Sequence, residues 1–280
     1  MILIALLIAL SIERVTQLPA FWQMDVLLQR WFDWSQTQLS ERRQQQLHHP
    51  ALQALWLLLP ALLSGLFVAW LDHGLVTFVA SIIALLVAIS CDNARQAYKG
   101  YLKAANSGDQ DALAVYRQQL QQQAGNSCAE QDNTAATVGW INYQQYVAVT
   151  FFFLLFGVFG ALAYASIRSA DKAQPAYLEG LPIKRLRWAL DFIPVRLTGL
   201  GLLLVGHFSR AFPVWLQSLT NLSQSQPRVL ASLLTQAEDS AMHHPDDKTE
   251  AVGAQLGLMK RQYIAWLCVI ALLTLSGSLH

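Results

Sequence analysis

The residues best suited to chemistry are Asp191 and Arg196, a carboxylate and a guanidinium set into the apolar run 188–206, WALDFIPVRLTGLGLLLVG. Ionisable groups in such a run are costly against lipid, so they face protein or water and mark a candidate functional site. A guanidinium grips a carboxylate or a phosphate with two parallel hydrogen bonds, which makes Arg196 a candidate for holding an anionic ligand or an acidic partner segment. Asp191 and Arg196 stand five apart, not the three or four that stacks side chains on one helical face. Pro194 lies between them, removes a backbone donor and crowds the preceding turn, so a kink there would bring the two together. The plainer alternative is an interfacial helix start, with Asp191 near the N-terminus and Arg196 snorkelling towards water.

Such a site needs a membrane scaffold, and the composition supplies one. Of the 280 residues, 54% are hydrophobic and 13% charged, against about 25% charged in soluble domains. The mean hydropathy is +0.32. A net charge of +1 offers no basic excess for nucleic acid. Cys91, Cys128 and Cys268 are scattered without a CxxC pair, which suggests buried thiols rather than a disulfide framework or zinc site. His48 and His49 are adjacent, and Met242 to Asp247 crowds its ligand types before and after a proline. Neither has the spacing of a tetrahedral metal site, and no metal is expected.

Along the chain, residues 1–12 are continuously apolar but short for a bilayer, so 1–14 is expected as a short or tilted membrane segment. Glu13 and Arg14 at its end are a possible intramembrane pair. Residues 15–50 carry Trp22, Trp31 and Trp34, spaced as interfacial anchors along a surface segment. Runs 51–71 and 75–91 are joined by Asp72, His73 and Gly74 and predict a transmembrane hairpin. The flanks 13–50 and 92–146 carry Lys and Arg and the turn carries none, which places those flanks in the cytoplasm. Residues 92–146 favour helix and are punctuated at 106–108 and 125–126, predicting two short helices. Runs 147–167 and 263–279 are long enough for two further membrane segments, the second preceded by Lys260 and Arg261. If 147–167 and 189–208 both crossed fully, the loop with Arg168, Lys172, Lys184, Arg185 and Arg187 would lie outside, against the positive-inside bias. One of the two is therefore imperfect, and 189–208, with its Asp, Pro and Arg, is expected to be broken, re-entrant or interfacial. The segment 209–261 is expected in the cytoplasm. The fold class is thus all-α, one polytopic membrane domain over 1–280 with four to five membrane segments.

Four strings in order, IERVTQLPAFWQMD, GWINYQQY, DFIPVRLTG and GHFSRAFPVWLQSL, resemble the AmpE family of bacterial inner-membrane proteins. The resemblance implies a regulatory modulator of β-lactamase induction and cell-wall recycling signalling, with the cytosolic amidase AmpD as a candidate partner and oligomers possible. AmpE is in turn similar to the CobD/CbiB cobamide synthases. Tyr164, Ile167 and Asp171 fit one synthase string, and Ile193, Pro194, Arg196, Leu197 and Thr198 fit another. Arg168 replaces an Asn and Lys172 a Ser, while Arg187 and Trp188 stand at an acidic pair. Exchanging acids for cations reverses the sign of a metal–nucleotide site. The resemblance therefore implies a non-enzymatic relative with no cofactor, whose ligand- or partner-binding pocket joins Tyr164, Arg168, Asp171, Lys172, Asp191, Arg196 and Thr198. The alternative it carries is an amide-forming or nucleotide-dependent transferase using ATP with magnesium.

Overall fold

The computed structural model describes residues 2–16, 19, 22–38, 49–71, 73–89, 91–128, 133–173, 178, 180–238 and 248–277. These form twelve α-helices and no strand: α1 Ile2–Val15, α2 Met24–Gln38, α3 Pro50–Leu71, α4 Gly74–Ile89, α5 Asp92–Ser107, α6 Gln110–Ala124, α7 Thr134–Asn142, α8 Ala148–Ala173, α9 Ile183–Val205, α10 Phe208–Thr220, α11 Gln226–Ala237 and α12 Lys248–Leu275. A π-helical turn, Tyr143–Val147, joins α7 to α8. Five stretches are long and apolar enough to cross a membrane: Pro50–Trp70, Gly74–Ser107, Thr134–Ala173, Ile183–Val205 and Glu250–Leu275. The chain is thus an all-α polytopic membrane protein. At 14 residues, α1 spans only about 21 Å.

Contacts divide the chain into two compact units, one of residues 1–90, 148–187 and 279–280, the other of residues 91–147 and 188–278. In the first, α8 packs on α2, α3 and α4, and α1 packs on α4. Small residues let these helices approach: Ala5 and Ala9 of α1, Ala61 of α3, Ala84 and Ala88 of α4 and Ala161 and Ala165 of α8 are all buried. In the second, α7 contacts α6, α11 and α12, and α10 pairs with α11. Its core holds Trp140, Tyr143, Leu230, Leu233, Leu234 and Met259, each fully buried. The two short helices expected in 92–146 are α5 and α6. Gly108 ends α5 at φ 71°, and Asp109 caps α6 by accepting from the Ala112 N–H at 3.0 Å.

The interruption expected at Pro194 lies elsewhere. Helix α9 runs unbroken from Ile183 to Val205 with Pro194 inside it, whereas α8 breaks at Gly157, φ 61° and ψ −143°. Along a straight helix, Phe152 and Tyr164 would be about 18 Å apart; here their rings stack with centroids 5.0 Å apart. A Cβ on Gly160 would stand 2.2 Å from the Phe152 carbonyl oxygen. The run 147–167 therefore doubles back as two arms, 148–156 and 158–173. Proline costs a helix one hydrogen bond and some crowding, which packing can offset, but the backbone of Gly157 occupies a region open in practice to glycine alone. The glycine, not the proline, makes the reversal.

Of the possible pair at the end of α1, Glu13 is buried and Arg14 exposed. Cys91 and Cys128 are buried, but Cys268 is exposed on α12. The Met242–Asp247 string and His48 lie outside the described residues. Among the described residues no group of three His, Cys, Asp or Glu could hold a metal.

Candidate functional site

Of the seven candidate residues, Tyr164, Arg168, Asp171 and Lys172 belong to the first unit and Asp191, Arg196 and Thr198 to the second. In the first unit, α8 carries Tyr164, Arg168, Asp171 and Lys172. Lys172 donates to Asp25 of α2 at 3.0 Å, and the Ser169 hydroxyl donates to the other oxygen of the same carboxylate. Arg168 is buried and donates through Nη2 to the Ala88 carbonyl at 2.8 Å. Ala88 lies in the last turn of α4, where carbonyls have no intrahelical donor and the helix carries partial negative charge; α4 has no basic residue of its own there. Tyr164 is buried between neighbours of two kinds, the Phe152 ring and the Arg187 guanidinium, whose carbon lies 5.3 Å from its centroid. Asp171, on the same arm of α8, is also buried.

Asp25 is the residue that sequence reading missed. Burial pushes its carboxyl up, but the charges of Lys172 and Arg168 and the bonds from Ser169 and Lys172 together outweigh burial and hold it below the ordinary carboxylate value. Its partners stand 144 and 147 positions away, so no local periodicity exposes it. The Lys172 charge is thereby offset within the chain.

In the second unit, Asp191 accepts a hydrogen bond from the Tyr143 hydroxyl at 3.0 Å, with both residues buried. The π-turn supplies that tyrosine. It also turns Gln144 to the Gln123 and Ala124 carbonyls at the end of α6, and Tyr146 to Arg95 at 2.9 Å. Such π-turns recur at functional positions. Thr198 spends its hydroxyl on the Pro194 carbonyl of its own helix at 2.7 Å, which takes it out of the candidate binding set. Pro194 does not bring Asp191 and Arg196 together: one meets Tyr143, the other a different set of partners.

Arg196 is buried, 6% exposed, and its partners belong to three helices. Nη1 donates to the Phe192 carbonyl at 2.9 Å and to Gln226 Oε1 at 3.0 Å, and Nη2 donates to the Ser218 carbonyl at 2.5 Å. The guanidinium carbon lies 3.5 Å from the Phe192 ring centroid. Trp215 of α10 returns a bond from its indole N–H to the Arg196 carbonyl at 2.9 Å. Gly199, one turn along, lets α9 approach α10 and α11: a Cβ there would stand 2.7 Å from Trp215 and 2.9 Å from Leu233. Ser218 is in the last turn of α10, which has no basic residue of its own, and Gln226 opens α11. Arg196 thus fastens the α10–α11 corner to α9.

Every acceptor of this guanidinium is neutral. Its Nε and the Nε2 of Gln226 are buried donors with no acceptor among the described residues. Buried N–H groups left unpaired are costly, and a positive charge raises the cost. A carboxylate or phosphate is the kind of group that satisfies such a donor together with its charge. Arg196 thus brings in Gln226, a residue that sequence reading passed over because its amide stands 30 positions away.

Comparison with known proteins covers the whole molecule. Residues 1–280 match the family described as regulatory signalling modulator protein AmpE. Protein AmpE of Shigella flexneri is 30% identical over 293 residues, across the full length of both chains. No solved structure matches.

Proposed function

Because the chain belongs to the AmpE family of regulatory signalling modulators, we propose that it acts in the bacterial inner membrane as a non-enzymatic modulator of β-lactamase induction within cell-wall recycling signalling. Its sensing element is the Arg196 joint of the second unit. An anionic ligand, or an acidic segment of a partner such as the AmpD amidase, takes the two unfilled donors and draws the guanidinium away from the carbonyl of Ser218. Because that carbonyl terminates α10, exchanging its partner loosens the α10–α11 corner, and the occupied state differs from the empty one in a segment outside the membrane helices. A ligand shifts such an equilibrium only through its differential affinity for the two states. The observation that carries the reading is the buried guanidinium whose acceptors are all neutral.

The test is an induction assay in cells lacking the chromosomal copy, complemented with wild type, Arg196→Ala or Arg196→Lys at matched membrane abundance. Arg196→Ala abolishes the effect on β-lactamase induction. Arg196→Lys keeps the charge but not the planar fork, so it retains a partial response. Equal induction by wild type and Arg196→Ala at equal abundance sinks the reading. A loss of abundance in both variants assigns Arg196 to folding alone.

A further inference from the structure

The first unit contains a cavity of about 480 Å³ walled by α2, α3, α4 and the second arm of α8. Its walls are hydrocarbon: Leu28, Ala61, Ala84 and Leu162 are representative. The one hydroxyl on the wall, Ser64, donates to the Ala61 carbonyl of its own helix at 2.8 Å. A wall of this kind favours hydrocarbon over water, and α3, α4 and α8 lie in stretches long and apolar enough to cross a membrane. Its natural content is a hydrocarbon chain.

One part of the wall is different. Trp31 lines it, and its ring lies 5.3 Å from that of Trp56 on α3. The indole N–H groups of Trp31 and Trp56 are both buried without an acceptor, and so is the Gln53 Oε1 without a donor. Gln53 is itself buried, at 4% exposure. On α3 it stands on the face that continues through Leu57, Ala61 and Ser64, spaced at three and four. Trp31 is on the wall, Trp56 packs on it and Gln53 lies one turn earlier on α3, so among the described residues two unfilled N–H donors and one unfilled acceptor stand next to an apolar space, the combination an amphiphile meets. The indoles fit the ester carbonyls of a glycerolipid, and the amide oxygen fits an ammonium or hydroxyl donor in its head group. Trp rings suit this level of a bilayer because their faces are apolar and their N–H groups need a polar partner.

We propose that the first unit holds one diacyl glycerophospholipid as a bound component, with an acyl chain between α2, α3, α4 and α8 and its ester region at Trp31, Trp56 and Gln53. The fold shapes this site through Gly157. Val158 and Leu162, at the start of the returning arm, are part of the wall, so the reversal of α8 supplies one side of the cavity.

The test uses the full chain purified in a mild detergent, washed extensively and assayed for retained phosphatidylethanolamine by mass spectrometry of the extract. Wild type retains about one lipid per chain. Ala61→Phe and Ala84→Phe, which put a ring where the chain lies, retain about tenfold less, the change that follows from losing roughly one buried branched side chain's worth of contact. Leu66→Phe, on the exposed face of α3, retains the wild-type amount. Equal retention by wild type and both filled variants overturns the proposal. A second measurement on wild type stands if either variant fails to fold: phosphatidylethanolamine carrying a photoactivatable group at the end of its acyl chain is cross-linked in vesicles and the adducts mapped. Adducts on Leu28, Val158 or Leu162 support the site. Adducts confined to outward residues such as Leu66 and Trp70 overturn it.

Discussion

Gly157→Ala isolates backbone strain from every other effect. A Cβ at Gly157 meets no atom within 4 Å, so the substitution introduces no clash and removes no contact. The whole cost lies in holding an alanine at φ 61°, ψ −143°, about 1–3 kcal/mol for a non-glycine residue in such a region. At roughly 2–4 °C per kcal/mol for a chain of this size class, the unfolding midpoint in detergent falls by about 2–12 °C. Gly253→Ala and Gly257→Ala are the internal controls. Both glycines lie within α12, and an added Cβ at either meets nothing within 4 Å. Alanine in an ordinary helical backbone gains about 0.5–1 kcal/mol over glycine, so these variants melt at or slightly above wild type. The same chemical change therefore carries opposite signs, set by φ and ψ alone. Tryptophan fluorescence during a thermal ramp, at fixed detergent and scan rate, reads all three. If Gly157→Ala melts with Gly253→Ala, α8 runs straight through 157, and both the doubled-back arm and the cavity it borders are wrong.

Two further substitutions probe the clusters. Asp25 is held below its ordinary value, so its contribution to stability is fully present above the unfolded aspartate value of about 3.9 and is lost as the pH falls through that value towards the lower folded one. Asp25→Asn flattens the acid limb of a stability-against-pH curve and costs about 1 kcal/mol or less at neutral pH, because the carboxylate keeps 29% of its surface in solvent; an unchanged acid limb refutes the assignment. Tyr143→Phe removes the hydroxyl that donates to Asp191 at 3.0 Å in a fully buried setting and lowers stability by about 1–3 kcal/mol. Asp191→Asn retains an acceptor and costs less, and the reverse order in a denaturation series contradicts the geometry.

What could be read from the chain divides by range. The hairpin 51–71 and 75–91 and the pair of helices around Gly108 follow from run length and from glycine and aspartate at helix ends, all of which are local. The dilemma posed by the cationic loop after 167 was also legible, since it follows from counting charges. Its resolution was not: Pro194 is the louder breaker in text, while Gly157 looks like one of two glycines that ease helix approach. Packing on α10 and α11 keeps α9 helical through the proline, and nothing local announces that Gly157 adopts a positive φ. Asp25, Tyr143 and Gln226 were invisible as site residues for the same reason, since each meets its partner 30 to 147 positions away.

The two arginines that looked like ligand-binding groups share one structural task. Arg168 donates to the last turn of α4 and Arg196 to the last turn of α10, and neither helix has a basic residue of its own there. An unpaired carbonyl at a helix end is expensive where water is scarce, and a guanidinium brought from another helix satisfies it and complements the helix dipole. A cation in an apolar run is therefore no sufficient sign of a ligand site; what matters is what surrounds it. Arg168 has acid in its surroundings, with Asp25 shifted by its charge. Arg196 has three neutral acceptors and an idle Nε, beside an idle amide of Gln226. The neutrality of those acceptors, rather than the mere presence of charge, directs the search for an anionic ligand to α9, α10 and α11.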